Sequence, residues 1–196
     1  MKLGPVNLQG AHVRLEPLDL KHRLPLFQAA QSQEIWSWML SSLRDQEQFN
    51  NWLSKSLEDQ QAGCTYRFAV IDARTHQVLG STSYLNVDET HHGVEIGSTW
   101  YSPSAWGTAI NPEAKLLLMR HAFEDWGAIR VEYRTDHHNA HSQAAIKKLG
   151  ATYEGTLRNH RIRPDGTIRN TLVFSITQDE WPDIQRRLQA RVDAIH

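Results

Sequence analysis

The sequence has little of what marks a secreted, membrane or nucleic-acid-binding protein. It contains one cysteine, Cys64, so no disulfide can form within the chain, which favours a reducing compartment. Its apolar runs are no longer than four residues, as at 116–119, whereas a membrane span needs about 20. Residues 1–10 include no apolar stretch of the kind found in signal peptides. We therefore expect a soluble, cytoplasmic protein without a membrane segment.

An excess of positive charge is also missing. The chain has 21 Lys and Arg against 22 Asp and Glu, a formal net charge of -1, which speaks against strong general nucleic-acid binding. A local basic patch remains open, because one predicted hairpin carries four arginines, Arg158, Arg161, Arg163 and Arg169. Solvated strand charges are the simplest interpretation; contact with a nucleotide phosphate, an acidic acceptor or the ribosome is the alternative.

Length and composition fit one folded domain over residues 1–196. A chain of 196 residues, at roughly 150 residues per domain, is long enough to bury a sizeable core. The hydrophobic fraction of 40% and the charged fraction of 22% exclude wholesale disorder. Trp36, Trp38 and Trp52 fall in one early region, where they either shape an apolar pocket or fill the core, and core is the simpler interpretation.

The periodicity predicts strands and helices that do not alternate strictly. Seven strands are predicted at 12–16, 66–72, 78–87, 94–101, 129–135, 151–161 and 168–176. Helices are predicted at about 19–30, 46–60, 112–126, 139–149 and 182–192. Asp19 is the predicted N-cap of the first helix, which Pro25 shortens or kinks. This order predicts a mixed α/β fold with a central, mostly antiparallel sheet of about seven strands flanked by helices.

The segment 101–114 has the character of an anion-binding loop. It leads from a strand through small residues into a largely apolar helix, with Asn111 or a neighbour as the expected N-cap. The first N–H groups of a helix lack partners and attract negative charge, and Gly107 and Ala109 allow close approach of a ligand. A phosphate or pyrophosphate would suit such a loop. A plain connection that needs glycine for its turn is the alternative, and the residues alone do not separate the two.

A second segment, 135–150, opens another helix. Asn139 lies at the expected N-cap, and Ser142 shares a helix face with Ile146 and Leu149. Taken alone, this pattern favours a structural cap and a small residue that permits close packing.

The eleven histidines do not compose a metal site. His91-His92 and His137-His138 are adjacent pairs, and no carboxylate or cysteine cluster completes the spacing of His138 and His141. We therefore expect no metal. Cys64 has no assignable acid or base partner, so we do not expect it to act as a covalent nucleophile.

Several short motifs, taken in order, resemble one enzyme family. They are Trp106-Gly107-Thr108-Ala109, Glu113-Ala114, Asn139-Ala140-His141-Ser142-Gln143, Leu149-Gly150-Ala151, Arg161-Ile162-Arg163-Pro164-Asp165-Gly166 and Glu180-Trp181-Pro182. The ordered set resembles the GNAT N-acetyltransferases and is similar to their RimJ/RimL-type branch, from His12 to about Arg191.

The resemblance implies a single-domain GNAT-like fold with acetyl-CoA as co-substrate. The pyrophosphate would bind the backbone of six residues, Trp106, Gly107, Thr108, Ala109, Ile110 and Asn111. The pantetheine arm would run beside the strand end formed by Trp100, Tyr101 and Ser102. A backbone N–H near Trp100 or Tyr101 would polarise the thioester carbonyl.

The resemblance also implies roles for three side chains. Asn139 would bond to the pantetheine arm, and Ser142 would protonate or stabilise the leaving thiolate. Glu95 is the candidate base for direct attack by a primary amine in a ternary complex; a surface or sheet-edge carboxylate is the more ordinary interpretation. The acceptor would be a protein N-terminus or a small-molecule amine, and relatives often form homodimers.

Three positions depart from the family pattern. Ser104 replaces a glutamine or arginine, Ala109 replaces a glycine, and Ile146 stands where many relatives carry a general-acid tyrosine. These departures place weight on Ser142 as the acid. They also keep open a second function, an acyl-CoA-binding module of the same fold without turnover.

Overall fold

The predicted sheet is present, with one more strand than expected. The structure is a computed structural model that describes residues 4–63 and 65–195, so Cys64 lies outside the described residues. In that part of the chain the strands are β1 (Leu8–Gln9), β2 (Val13–Pro17), β3 (Tyr66–Asp72), β4 (Val78–Asp88), β5 (Gly93–Tyr101), β6 (Arg130–Asp136), β7 (Thr152–Ile162) and β8 (Ile168–Thr177). The additional strand, β1, has two residues, too few to show the alternation by which strands are recognised in a sequence.

The eight strands form one mixed sheet in the order β1-β2-β3-β4-β5-β6-β8-β7. Every neighbouring pair is antiparallel except β5 and β6, which run parallel. The mixed, mostly antiparallel sheet expected from the sequence is therefore confirmed.

Five α-helices flank the sheet in the described part of the chain. They are α1 (Arg23–Ala29), α2 (Gln46–Gln61), α3 (Ile110–Arg120), α4 (Ala140–Leu149) and α5 (Trp181–Asp193). The expected helix over 112–126 begins two residues earlier and changes after Arg120 into a π-helical turn, His121–Trp126. Gly127, with a φ of 78°, ends this turn.

The first helix is short for a local reason. The carboxylate of Asp19 accepts a hydrogen bond from the N–H of Lys21 at 2.9 Å and caps a 3₁₀ turn, Leu20–His22, which precedes α1. Pro25 occupies the first turn of α1, where a missing N–H costs no helical bond. The short helix is confirmed, whereas Asp19 caps the preceding 3₁₀ turn and the N-cap of α1 itself is His22.

Each face of the sheet covers its own core. Ile96 of β5 packs with Leu118 of α3 on one face. A β-bulge at Ser98–Thr99 shifts the alternation by one residue, so Trp100 packs with Leu26 of α1 and Phe49 of α2 on the other face. Because successive residues of a strand point to opposite faces, the β5 residues on each side of the bulge can be assigned to one of these two faces.

Two of the three early tryptophans belong to the second core. The ring centroids of Trp36 and Trp52 lie 5.3 Å and 6.4 Å from that of Trp100. Trp36 is buried, which confirms the core interpretation for that residue. Trp38 is 43% exposed, and its ring centroid lies 6.0 Å from that of His138.

A buried carboxylate joins the start of α3 to the first hairpin. Glu113 is 5% exposed and accepts three backbone hydrogen bonds, from Ala11 at 2.8 Å and from His12 and Val13 at 2.7 Å. A Cβ on Gly10 would lie 2.4 Å from Cδ of Glu113, so only glycine leaves room for the carboxylate. Glu113 therefore fixes the first turn of α3 against the β1–β2 turn.

Candidate active site

The two parallel strands separate soon after they meet. Gly93–Glu95 of β5 pairs with Arg130–Glu132 of β6. Beyond this point β5 pairs only with β4, and β6 pairs only with β8. A V-shaped gap therefore opens between them, bounded by the unpaired edge of β5. The carboxyl ends of both strands lie at the mouth of this gap, the usual ligand-binding edge of parallel strands.

A bulge bends β5 along the gap. The register with β4 shifts between Ser81 and Ser83, so Ser98 and Thr99 together oppose the single residue Thr82. Ser98 has a φ of 47°, in the left-handed region. A β-bulge bends the strand that carries it, in keeping with the divergence of β5 from β6.

The loop 102–109 places the N-terminus of α3, which has no side-chain cap, at the mouth of the gap. Ala109 is the N-cap and has no side chain able to cap, so the expectation of a cap at Asn111 is wrong for that residue, which lies in the first turn. Among the described residues, none accepts a hydrogen bond from the N–H groups of Gly107, Thr108, Ala109 or Asn111. Gly107 has a φ of 75°, and the space next to its Cα holds no atom within 4 Å of a Cβ position.

Two of the six predicted phosphate-binding residues use their amides internally. The N–H of Trp106 donates to the carbonyl of Pro103 at 3.0 Å, and that of Ile110 donates to Oγ1 of Thr108 at 3.3 Å. The indole Nε1 of Trp106 donates to the carbonyl of Tyr101 at 3.0 Å, which holds the ring at the end of β5. Four free amides remain, at Gly107 and in the residues that follow it up to Asn111.

The backbone at the end of β5 points in a defined direction. The N–H of Ser102 donates to the carbonyl of Leu79 at 2.7 Å, toward β4. Neighbouring residues of a strand direct their polar backbone groups to opposite edges, so those of Tyr101 face the gap and those of Trp100 face β4. The 2.1 Å separation between the Trp100 carbonyl and a Cβ on Gly80 of β4 agrees with this assignment.

The second predicted segment begins at the same edge. Oδ1 of Asn139 accepts a hydrogen bond from the N–H of Ser142 at 2.9 Å, so Asn139 is the N-cap of α4, as expected. Ser142 is half-buried, on the side of α4 that carries Ile146 and Leu149. No described residue is hydrogen-bonded to the Ser142 hydroxyl or to the Asn139 side-chain nitrogen. Both groups therefore have capacity for a ligand in the gap.

Glu95 is buried at the point where the gap opens, not on the surface. It is 8% exposed and faces the α1/α2 side, since Ile96 faces α3. Nδ2 of Asn86 donates to Oε2 at 2.8 Å, and Nε of Arg134 lies 3.5 Å from the same oxygen. Burial raises the pKa of the Glu95 carboxyl. The charge of Arg134 and the hydrogen bond from Asn86 lower it, but by less.

Two classes of site are not found in the described part of the chain. No group of three or more His, Cys, Asp or Glu within 4–63 and 65–195 is placed to hold a metal ion. Across the same residues, the helices are too short or too polar to cross a bilayer.

Comparison with known proteins identifies the family. A model of the acetyltransferase (GNAT) domain matches residues 12–152. The chain belongs to the GNAT acetyltransferase family. It is 28% identical to an uncharacterized N-acetyltransferase, p20 of Bacillus licheniformis, over 72% of this chain and 75% of that protein. It is also similar to the crystal structure of an acetyltransferase from T. thermophilus, with 35% identity, a TM-score of 0.85, and coverage of 97% and 99% of the two chains.

The family match confirms the resemblance of this GNAT acetyltransferase that its sequence motifs indicated. The structure of Mycobacterium smegmatis RimJ in complex with CoA-disulfide is similar over 96% of this chain and 93% of that one, with 20% identity and a TM-score of 0.79. Identity at this level shows the shared fold. The narrower RimJ/RimL assignment stays a prediction.

Lys115 is a buried charge in the GNAT fold that the sequence analysis missed. It is 6% exposed, and Nζ donates to Oγ1 of Thr99 at 2.7 Å and to Oγ1 of Thr82 at 3.3 Å. No carboxylate in the described chain forms an ion pair with it, and burial lowers its pKa to about 7. Because Thr99 belongs to the β5 bulge, Lys115 ties α3 to the bulged strand. A lysine within an otherwise apolar helix was the available signal.

Replacing Lys115 is expected to change the pH dependence of stability. Between pH 7 and the ordinary lysine value of 10.5, the unfolded chain binds a proton that the folded protein does not, so wild-type stability rises with pH. Lys115→Met should remove this rise and be at least as stable as wild type at pH 7. Urea unfolding from pH 6 to 10 measures both effects, with the exposed Lys147→Met as the matched control. A wild-type slope that persists in Lys115→Met would contradict the assignment.

Proposed function

We propose that this chain is an acetyl-CoA-dependent N-acetyltransferase that transfers an acetyl group to a primary amine in a ternary complex. The observation that carries the proposal is the set of four free amides, at Gly107, Thr108, Ala109 and Asn111, beside the gap between β5 and β6. Membership of the GNAT family supports acetyl transfer as the reaction class.

The free amides suit the pyrophosphate of coenzyme A. They combine unpaired donors with the positive end of a helix dipole, the arrangement that binds phosphates elsewhere. The open space at Gly107 admits a phosphate oxygen without a side-chain clash. In this arrangement Trp106 and Ile110 shape the loop through their side chains, and their own amides stay bonded within the protein.

The edge of β5 suits the pantetheine arm and the thioester. A bound arm would follow the unpaired edge at Trp100–Ser102 as an added strand does. Acetyl-CoA supplies the acetyl group as a thioester at the end of this arm. The N–H of Tyr101, directed into the gap, is the backbone donor we assign to the carbonyl oxygen that becomes negatively charged.

Asn139 and Ser142 are the residues we assign to the thiol side of the reaction. The side-chain nitrogen of Asn139 can donate to the pantetheine arm while its oxygen caps α4. The Ser142 hydroxyl can donate to the leaving thiolate, which needs little help because a thiol has a pKa of about 8.5. Ile146 is buried at 7% exposure, so that position contributes packing and no acid.

Glu95 is the residue we assign to the amine side. An amine must lose a proton to attack, and a carboxylate with a raised pKa is a stronger base than an ordinary glutamate. The acceptor amine would approach from the α1/α2 side, which Glu95 faces. A peptide N-terminus and a small-molecule amine both fit this arrangement.

Three further properties complete the proposal. We propose one domain over residues 1–196 and a cytoplasmic location, supported by the single cysteine. We also propose a homodimer, supported by exposed apolar side chains on the β7–β8 hairpin at Leu157, Ile162 and Ile168.

Cofactor binding is tested by adding charge to the open space at Gly107. Asp and Asn both tolerate a positive φ and have nearly the same shape, so Gly107→Asp and Gly107→Asn differ chiefly in one negative charge. Acetyl-CoA at 100 times its Kd should stabilise the wild type by about 2.7 kcal/mol. We expect at least tenfold weaker binding for Gly107→Asp than for Gly107→Asn in thermal-shift titrations. Equal affinities would exclude this loop as the phosphate site.

A turnover measurement distinguishes a transferase from an acyl-CoA-binding module that does not catalyse transfer. Release of free thiol from acetyl-CoA with a panel of primary amines supports the transferase. Binding of acetyl-CoA without thiol release from any amine would favour the module. The buried Ile146, in place of a tyrosine acid, is the feature that keeps this second function in consideration.

A further inference from the structure

Two arginines and a histidine converge beside Glu95 on the α1/α2 face. Arg134 of β6 lies against the Glu95 carboxylate, with 3.5 Å between Nε and Oε2. The buried hydroxyl of Thr171 on β8 is shared by two more groups, Nε of Arg169 at 3.1 Å and Nδ1 of His160 at 3.0 Å. We call Arg134, His160 and Arg169 the cationic cluster.

The carboxylate that forms an ion pair with Arg169 already has a closer partner. Asp136 is 2% exposed and accepts two hydrogen bonds from Arg163, each 2.8 Å long, together with one from the N–H of His138 at 2.9 Å. Nδ1 of His137 also lies 3.2 Å from Oδ1 of Asp136. Asp136 therefore has little capacity left to neutralise the cationic cluster.

Glu132 is similarly occupied. It is hydrogen-bonded to Arg134 and to Nη2 of Arg130, the latter at 2.8 Å. The remaining nearby carboxylate is Glu95, which we assign as the base. Glu132 and Glu95 thus both pair with Arg134, and neither forms an ion pair with Arg169 in the described chain.

Arg169 has unused donors. Its side chain is 14% exposed, and its Nε is 3.9 Å from Oδ2 of Asp136, a long ion-pair distance. Neither Nη1 nor Nη2 donates a hydrogen bond to any residue of the described chain. A guanidinium normally presents these two nitrogens as a fork to a carboxylate.

Burial disfavours the charged forms of two members of the cluster. Burial lowers the pKa of Arg169; the charges of Arg163 and Arg161 add to this effect, and those of Asp136 and Glu95 oppose it. Burial, with the charges of Arg161, Arg134 and Arg169, lowers the pKa of His160. A bound anion would favour the charged form of Arg169 and so offset the cost of its burial.

We propose that the cationic cluster binds a carboxylate on the acceptor, so that the substrate is a small amino acid with a free carboxylate. This inference rests on the proposed function, because it places the acceptor amine at Glu95. Arg169 and Glu95 lie close enough for their charges to influence each other, so one small molecule can place its amine at Glu95 and its carboxylate at Arg169. A peptide N-terminus has an amide in place of that carboxylate and would leave Arg169 unpaired.

The test compares amino acids with their carboxamides. The rate of thiol release from saturating acetyl-CoA is measured for the common L-amino acids and for the matching carboxamides. We expect the preferred amino acid to have a kcat/KM at least tenfold above that of its carboxamide. Arg169→Met should bring this ratio to about one by removing the advantage of the carboxylate substrate. Arg169→Lys, which keeps the charge without the fork, should fall between them.

A matched variant controls for loss of positive charge in general. Arg74→Met removes the same charge from the exposed turn between β3 and β4 and should keep the wild-type ratio. A wild type without carboxylate preference, or an Arg169→Met protein that keeps the preference, would overturn the proposal.

A binding measurement separates this proposal from the proposed function. With CoA present, the N-acetyl form of each amino acid and its carboxamide are compared by their shifts in melting temperature. Tighter binding of the carboxylate, lost in Arg169→Met, supports the anion site even if no amine is turned over, in which case the transferase proposal fails. If amines are acetylated but the carboxylate and carboxamide products bind equally well, the transferase proposal stands and the anion site is rejected.

Discussion

Glu95→Gln is expected to lower kcat by roughly 100- to 10,000-fold, the usual contribution of a general base. Glutamine keeps the shape of the side chain and can still accept from Asn86, whose Nδ2 lies 2.8 Å from Oε2. It cannot take a proton from an ammonium group. Steady-state thiol release at saturating acetyl-CoA measures the effect. Activity within threefold of wild type would show that another group removes the proton.

Stability provides the control for this variant. Because the pKa of Glu95 is raised in the folded protein, the folded state holds the proton more tightly than the unfolded chain. Its contribution to stability therefore falls as pH rises from 4.5 through the raised value. Glu95→Gln should be at least as stable as wild type at pH 7 in urea unfolding. An inactive and destabilised variant would indicate a structural role instead.

The same carboxyl is expected to set the acidic limb of the rate profile. Activity should fall as pH decreases through the raised pKa of Glu95, so the limb lies above the ordinary glutamate value of 4.5. Asn86→Ala should move the limb to still higher pH, because the Asn86 hydrogen bond lowers this pKa. The exposed Asn51→Ala should leave it in place. If the acidic limb stays at the same pH in Asn86→Ala, the group that titrates there is not Glu95.

Glu113→Ala is expected to destabilise the fold by about 3 kcal/mol or more. The carboxylate satisfies three backbone donors, at Ala11, His12 and Val13, and an unsatisfied buried donor costs about 1–3 kcal/mol. Such a loss is a large part of the roughly 5–15 kcal/mol that stabilises a typical protein. Urea denaturation at pH 7 measures it directly.

Graded variants make the Glu113 prediction specific. Oε2 accepts two of the three hydrogen bonds and Oε1 accepts one, so Glu113→Gln can retain two and should lose about 1–3 kcal/mol. Gly10→Ala should also destabilise, because its Cβ would displace the carboxylate. The exposed Glu89→Ala removes the same charge and should be nearly neutral. Equal stability of Glu113→Ala and Glu89→Ala would refute the anchoring role.

The anchor and the candidate site are physically connected. Glu113 lies in the first turn of α3, four residues after Ala109, whose carbonyl accepts the N–H of Glu113 at 3.0 Å. Loss of the anchor therefore loosens the turn that presents the free amides. We expect variants at Glu113 to weaken acetyl-CoA binding as well as stability.

Features that depend on near neighbours in the chain could be predicted from the sequence. Asp19 and Asn139 cap their helices through bonds to amides two and three residues on. Gly150, with a φ of 97°, ends α4. The ordered motifs around Gly107 and Asn139 were also sufficient to identify the GNAT family.

Features that depend on distant parts of the chain could not be predicted. Glu113 is 100 or more residues from the amides that it binds. Glu95 and Arg134 belong to different strands, and the parallel register that brings them together has no local signature. Of the ordinary interpretations of Glu95, a surface or a sheet-edge carboxylate, the surface one was wrong, because burial follows from that register and from the packing around it.

The amino-acid order alone predicted the approximate helices, the main strands, the cap at Asn139 and the family to which the chain belongs, because local periodicity and short motifs carry this information. The tertiary structure decided which charges are buried and which amides stay free. Those properties arise where strands diverge and where distant segments pack together. A local sequence pattern does not show which groups lose contact with water when this packing forms.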